Sequence, residues 1–330
     1  MTRHLTLLLV VGFACVAIQA LTRAQTSVVA PPSVEQKAAN YLSREVPRWR
    51  REHPCYSCHN NGDGTRALVA AAARGLADRQ TFDDSVAWLR TPTRWALNAD
   101  AGGVKDLPLS RVQFAAALAE LRAVEPADAE TLVQAARLVM ADQRPDGSWP
   151  ISATSNVGTP SGYGTPLATA VARDVLVRAG EPALRTAIGR ADAWFRAQTP
   201  QAVLEASAVV LGLGTADDAR AVASRQVALT ILVQGQAADG GWGPYTTAPA
   251  EPFDTAVAVL ALESLRPRPA LAAPAMSEQA WRAAMDRGRA YLRAQQEPDG
   301  SWVETTRPSG QESYSQRVST TAWALRALLP

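Results

Sequence analysis

The chain has 330 residues, of which 47% are hydrophobic, so it is long and apolar enough to bury at least one large core. Lysine and arginine total 33 against 31 acidic residues, and the two signs are interspersed along the chain. This composition excludes a largely disordered protein, and the scattered charge argues against a nucleic-acid partner.

The first 24 residues have the pattern of an export signal. An apolar run from Leu5 to Ala20 follows a basic start and precedes small residues. Because the run is shorter than the roughly 20 residues that cross a bilayer, we predict a signal peptide over 1–24 that is cleaved, and an uncleaved anchor is the alternative. The mature chain would then be periplasmic or otherwise exported, without a transmembrane span, and would keep only Cys55 and Cys58 as cysteines.

Apolar residues at helical spacing predict six helical pairs, and strand patterns are nearly absent. In chain order the paired segments are 34–46 with 65–76, 84–90 with 110–121, 131–140 with 165–177, 187–197 with 202–213, 227–233 with 254–265, and 290–294 with 319–329. The first two pairs form a degenerate N-terminal region over 25–130, and residues 131–330 hold the regular repeats. Such pairs either stack as an open solenoid or close into a ring, and the pattern alone leaves both open.

One turn motif recurs three times between paired helices. It reads Gln-X-X-Asp-Gly-X-Trp and occurs at 143–149, 236–242 and 296–302. Asp-Gly supplies turn chemistry, and the tryptophan supplies a large apolar anchor. We therefore predict that the three tryptophans occupy equivalent places, each beside the glutamine of its motif.

This repeated motif resembles the repeats of squalene-hopene cyclases, which share their toroidal fold with protein prenyltransferase β subunits. The resemblance covers about residues 131–330. It implies an all-α protein, an α/α toroid of about six helical hairpins that includes the N-terminal region. It also implies an apolar cavity that binds an isoprenoid-like hydrophobic ligand.

The catalytic residues of both families are missing. The resemblance places Glu251–Ala256 against the Asp-X-Asp-Asp-Thr-Ala segment of the cyclases, and Phe253 stands in the place of the acid. Asp254 is predicted to cap its helix, as are Thr165 and Ser319 in the other repeats. No histidine or cysteine follows the first hairpin, so a prenyltransferase zinc site lacks its ligands. Whether the protein is an enzyme stays open.

The segment Cys55-Tyr56-Ser57-Cys58-His59 resembles the haem-attachment site of c-type cytochromes. The resemblance implies a covalent haem c joined to Cys55 and Cys58, with His59 as the proximal ligand of the iron. A Cys55–Cys58 disulfide or redox pair and a metal such as zinc are the alternatives. The residues 60–64 that follow predict a turn, after which Thr65 caps the next helix.

The favoured hypothesis is therefore an exported c-type haem protein with a squalene-cyclase-like toroid. It would transfer electrons to a periplasmic redox partner, or sense redox state or a small ligand, while the toroid binds a hydrophobic molecule. One alternative is a terpenoid cyclase-related enzyme with a non-standard acid. Another is a non-catalytic binding protein whose two cysteines form a disulfide.

Overall fold

The computed structural model describes residues 31–98, 106–151, 163–266, 268–307 and 310–329. The predicted signal peptide over 1–24 lies outside these residues. The chain divides into two compact units, Met1–Pro31 and Pro32–Pro330, and all the helices described here belong to the second unit.

Outer and inner helices alternate along the chain. The outer helices are α1 (Val34–Glu52), α3 (Asp83–Leu89), α5 (Ala129–Ala141), α7 (Arg185–Ala197), α9 (Ala219–Gly235) and α11 (Glu278–Ala294). The inner helices are α2 (Thr65–Ala72), α4 (Leu107–Val124), α6 (Gly164–Ala179), α8 (Val203–Leu213), α10 (Pro252–Glu263) and α12 (Tyr314–Leu328). Short 3₁₀ turns cover Arg79–Phe82, Pro92–Leu97, Pro126–Asp128, Pro182–Leu184 and Pro269–Ala272.

Residue pattern explains which helices lie inside. Helix α11 buries a single stripe and exposes charged residues on its other face, as expected of a helix between core and solvent. In contrast, α12 buries nearly every position from Val318 to Leu328, because it packs against neighbours on several sides. The alternation of six outer and six inner helices confirms the six predicted hairpins, although many helices extend beyond their predicted ends.

The inner helices form a closed ring. Each of α2, α4, α6, α8 and α10 contacts the next inner helix, and α12 returns to contact α2. The fold is therefore an all-α toroid of six helical hairpins rather than an open solenoid. Among the described residues no β-sheet forms, and the single bridge joins Gln236 to Trp242.

The three turn motifs are equivalent, as predicted. The indole N–H of each tryptophan donates to a carbonyl of the preceding outer helix: Trp149 to Val139, Trp242 to Leu232 and Trp302 to Leu292, at 2.6, 2.7 and 2.7 Å. The backbone N–H of each tryptophan donates to a threonine hydroxyl on the following inner helix: Thr169, Thr255 and Thr321. Each tryptophan therefore fastens the two helices of its own hairpin.

The glutamine of each motif joins one hairpin to the next. The side-chain amides of Gln143, Gln236 and Gln296 donate to the carbonyls of Ala187, Ala284 and Val34, each at 2.8 Å. Since Val34 begins α1, the third bond links the last hairpin to the first. The same polar contact that joins neighbouring repeats therefore also closes the ring.

None of the helices in the described part of the chain combines the length and the apolar character needed to cross a membrane.

Candidate functional site

The segment Cys55–His59 lies where α1 gives way to the first inner helix. The predicted turn over 60–64 is wrong, because Cys58–Gly64 forms a π-helical segment that runs directly into α2. The hydroxyl of Ser57 caps this segment by accepting from the backbone N–H groups of His59 and Asn60. Thr65 is a buried helical residue rather than a cap.

Close packing explains why a glycine-rich sequence becomes helical here. A Cβ on Gly62 would lie 3.1 Å from Gln113 Cβ, and one on Gly64 would lie 2.7 Å from a methyl group of Val46. The side-chain amide of Asn61 is buried, and its Oδ1 atom accepts a hydrogen bond from the backbone N–H of Ser57 at 2.8 Å. The glycines therefore permit a tight approach of helices, and tertiary burial overrides their local preference for a turn.

Asp63 is the centre of a buried polar cluster. Its carboxylate accepts hydrogen bonds from Gln113 Nε2 at 2.9 Å, Tyr163 OH at 2.7 Å and Ser319 Oγ at 2.7 Å. The Nδ1 atom of His59 lies 2.8 Å from the same serine oxygen. Because the serine proton points to Asp63, its oxygen is placed to accept from a protonated His59 Nδ1. We call these five residues the Asp63 cluster.

The cluster ties the first hairpin to three other inner elements. Gln113 belongs to α4, Tyr163 directly precedes α6, and Ser319 belongs to α12. Burial, and secondarily the neighbouring Asp63, raises the pKa of Tyr163 well above its ordinary value, so the phenol remains a hydrogen-bond donor. His59 is therefore part of a structural network in the core of the ring.

In this conformation the space beside His59 is too small for a haem. The cavity beside His59 has a volume of about 10 Å³ and is also lined by Tyr163, Phe253 and Ser319. Such a volume is near that of one water molecule, far below that of a porphyrin. His59 would have to leave the Asp63 cluster before it could lie under a haem iron. The haem role of His59 therefore stays a prediction, and in this conformation the Nδ1 atom of His59 bonds to Ser319 instead.

The two cysteines are free thiols in the structure, and the alternative disulfide between them stays a prediction. Burial, with a smaller contribution from Asp63, raises the pKa of the Cys58 thiol to about 12. Cys58 is therefore a protonated, weakly nucleophilic thiol at neutral pH. Over the described residues, no three His, Cys, Asp or Glu side chains converge to hold a metal ion.

Asp254 does not cap its helix, which corrects the sequence-based assignment. Helix α10 begins after Glu251 without a side-chain cap, and Asp254 lies buried in its first turn. Ser319 likewise lies well inside α12, whose cap is Ser313. The threonines that accept hydrogen bonds from the motif tryptophans show which positions of the inner helices correspond. Thr255 corresponds to Thr321, so Asp254 corresponds to Thr320.

Asp254 forms an ion pair with Arg307, whose Nη2 lies 2.5 Å from Oδ2. Its other oxygen, Oδ1, has no hydrogen-bond partner among the described residues. Burial outweighs the attraction of Arg307 and raises the pKa of Asp254 to about 7. Asp254 does not line the small cavity beside His59, whereas Phe253 does.

The raised pKa predicts a pH-dependent stability. Between pH 3.8, the ordinary pKa of this carboxyl, and about pH 7, the folded protein binds more protons at Asp254 than the unfolded chain does. Folding stability should therefore fall as pH rises through this window. The melting temperature of the wild type should therefore fall between about pH 5 and about pH 8. We expect Asp254→Asn to reduce this fall by several degrees, which corresponds to a free energy of unfolding on the order of a few kcal/mol. An unchanged pH dependence in the variant would contradict this.

A larger cavity of about 290 Å³ lies among the inner helices, and we call it the lumen cavity. Its apolar lining is Ala170, Val171, Leu211, Leu260 and Trp323, and its polar lining is Arg66, Asp174, Glu263, Ser264 and Arg326. These residues come from α2, α6, α8, α10 and α12 or from the residue that follows α10. The ring therefore surrounds an amphipathic cavity.

Sequence reasoning missed both the Asp63 cluster and the polar wall of the lumen cavity. One signal was available, because Arg66 interrupts an otherwise small and apolar helix, Thr65–Ala72. A cation in a fully buried helix indicates a specific role. No comparable signal marks Gln113, Tyr163 or Ser319, whose partners come from remote parts of the chain.

No protein-family model matches the chain, and no curated protein matches it significantly. Among solved structures it is similar to the type II terpene cyclase MstE from Scytonema, with a TM-score of 0.49 and 16% identity over 90% of this chain and 98% of that one. It is also similar to ent-copalyl diphosphate synthase from Streptomyces platensis, with a TM-score of 0.38 and 19% identity over 89% of this chain and 50% of that one.

Proposed function

We propose that the protein binds a hydrophobic, isoprenoid-like molecule in the lumen cavity. The cavity volume of about 290 Å³ carries this proposal, since small-molecule sites begin near roughly 300 Å³. Four inner helices supply its apolar wall through Val171, Leu211, Leu260 and Trp323. A rigid ring that leaves such a wall uncovered offers a preformed site for an apolar ligand.

We further propose that the protein does not cyclise squalene by protonation. Phe253 carries no acidic proton, and the adjacent Asp254 forms an ion pair with Arg307. Replacing Phe253 with aspartate should not create activity, because a catalytic acid also needs supporting groups. Product formation from squalene with the purified protein would contradict this part of the proposal.

Binding can be tested with two matched substitutions on α6. Val171 is buried and lines the lumen cavity, whereas Val177 on the same helix is 45% exposed. We expect the protein to bind the neutral dye Nile red. Farnesol should displace the bound dye. Val171→Trp should weaken dye binding about tenfold or more by filling the cavity, and Val177→Trp should leave it unchanged.

Dye binding that is equal in the wild type and both variants would place the dye elsewhere and contradict the proposed site. Circular dichroism of each variant shows whether the ring still folds. If Val171→Trp fails to fold, the smaller substitution Ala170→Leu narrows the same cavity and takes its place in the test.

Covalent haem attachment is a second proposal, supported by two free thiols at the attachment spacing behind a predicted export signal. Electron transfer or ligand sensing in the periplasm, with a redox partner, belongs to this proposal. Because His59 bonds to Ser319, attachment would require the π-helical segment to open. Protein made with a cytochrome c maturation system should then show a haem band and added mass that survive acid extraction, and colourless protein of unmodified mass would refute it.

A further inference from the structure

Among the residues that the structure describes, Arg66 and Arg326 line the lumen cavity without a carboxylate at hydrogen-bond distance. The side chain of Arg66 is only 6% exposed, and its Nε and Nη1 atoms are buried without a hydrogen-bond partner in the described part of the chain. The oxygen of Glu120 lies 4.0 Å from Arg66 Nε and is shared with Arg178 at 3.3 Å. A buried cation with unmet donors is costly unless a ligand completes its bonds.

Arg326 lies beside Arg66 on the same cavity. The Cζ atoms of Arg66 and Arg326 lie 5.7 and 5.3 Å from the centre of the Trp323 ring, so both cations contact one aromatic side chain. Burial first, and the charge of Arg66 second, lowers the pKa of Arg326 to about 10. The two guanidinium groups therefore repel each other, and the charge of Glu120 only partly offsets this repulsion at Arg326.

The carboxylates of the lumen cavity are paired with other arginines. Asp174 lies 3.7 Å from Arg178, and Glu263 lies 2.8 Å from Arg289. Burial would raise the pKa of Glu120, but Arg326, Arg66 and Arg178 together lower it, so this one carboxylate is shared among three cations. An anion from outside the protein would give Arg66 and Arg326 a partner that they do not share with Arg178.

We propose that the lumen cavity binds an amphiphile with a carboxylate headgroup. The headgroup bonds to Arg66 and Arg326, and the hydrocarbon chain lies along Val171, Leu211 and Leu260. This inference rests on the proposed function and adds the charge of the ligand to it.

A single negative charge suits the site better than several. Asp174 and Glu263 also line the cavity and would repel a multiply charged group such as a diphosphate. A carboxylate presents two coplanar oxygens, which match the paired N–H donors of a guanidinium group. The chemistry of the wall thus favours a hydrophobic monocarboxylate over a diphosphate ester.

The test compares decanoate with decanol by isothermal titration calorimetry of the purified protein. We expect decanoate to bind about tenfold or more tightly, because charge-assisted hydrogen bonds are worth roughly that factor or more. Arg326→Gln should abolish the preference for decanoate over decanol. The matched control is Arg282→Gln, since Arg282 is an exposed residue of outer helix α11, and it should preserve the preference.

The outcomes separate this inference from the proposed function. Equal binding of decanoate and decanol to the wild type would overturn the carboxylate inference and leave hydrophobic binding intact. Binding of neither, together with no binding of Nile red, would overturn both. Tighter binding of farnesyl diphosphate than of decanoate would also overturn the monocarboxylate assignment. Arg66→Gln is a second test of the preference, and Arg326→Gln alone suffices if that buried substitution prevents folding.

Discussion

Replacing Asp63 with alanine is expected to destabilise the protein by about 3 to 5 kcal/mol. The substitution removes the acceptor for Gln113, Tyr163 and Ser319 and leaves three buried donors without a partner. It also removes the anion that orients the hydroxyl next to His59. Urea unfolding followed by circular dichroism measures the loss, and weaker packing of the π-helical segment against α4 and α12 is its structural cause.

Asp286→Ala is the matched control, because Asp286 lies exposed on α11. It should change stability by about 0.5 kcal/mol or less. Asp63→Asn keeps one acceptor oxygen and should fall between the two. If Asp63→Ala costs no more than the control, the buried cluster does not hold the inner helices together.

Replacing Gly300 with alanine is expected to cost about 3 kcal/mol or more, because it combines two penalties. Gly300 has φ of +95°, and an added Cβ would lie 2.3 Å from the carbonyl oxygen of Lys37 in α1. The new methyl group would push the last hairpin away from the first and strain the bond from Gln296 to Val34. Thermal unfolding of the variant measures the effect.

Gly180→Ala separates the two penalties. Gly180 ends α6 with φ of +67°, but an added Cβ there meets nothing within 4 Å. Only the left-handed backbone should be penalised, by about 1 to 2 kcal/mol. Equal losses in the two variants would mean that Gly300 does not lie tightly against α1 and would contradict ring closure at that contact.

The six hairpins were predictable because their signals are local. Helical spacing of apolar residues marks each helix, and the Asp-Gly turn and tryptophan of each motif lie within seven residues. Ring closure was harder to predict from the sequence, because Gln296 and Val34 are far apart in the chain. Only the family resemblance indicated a closed ring. The structure supplies the physical contact at 2.8 Å.

The sites were less predictable because they depend on long-range contacts. The sequence from Asn60 to Gly64 favours a turn locally, and only packing against Val46 and Gln113 makes it helical. The cap assigned to Asp254 failed because the inner helices begin at different distances from their motifs. Only the threonines that bond to the motif tryptophans show which positions of the inner helices correspond to one another.

Photoaffinity labelling tests the central claim most directly, namely that the ring binds a hydrophobic molecule in its lumen. A farnesol analogue with a photoreactive diazirine would be irradiated with the folded protein, and labelled peptides would be identified by mass spectrometry. Labelling should concentrate at Leu211, Leu260 and Trp323 and should decline when unlabelled farnesol competes. Labelling confined to the outer helices, or unaffected by competition, would contradict a ligand site inside the ring.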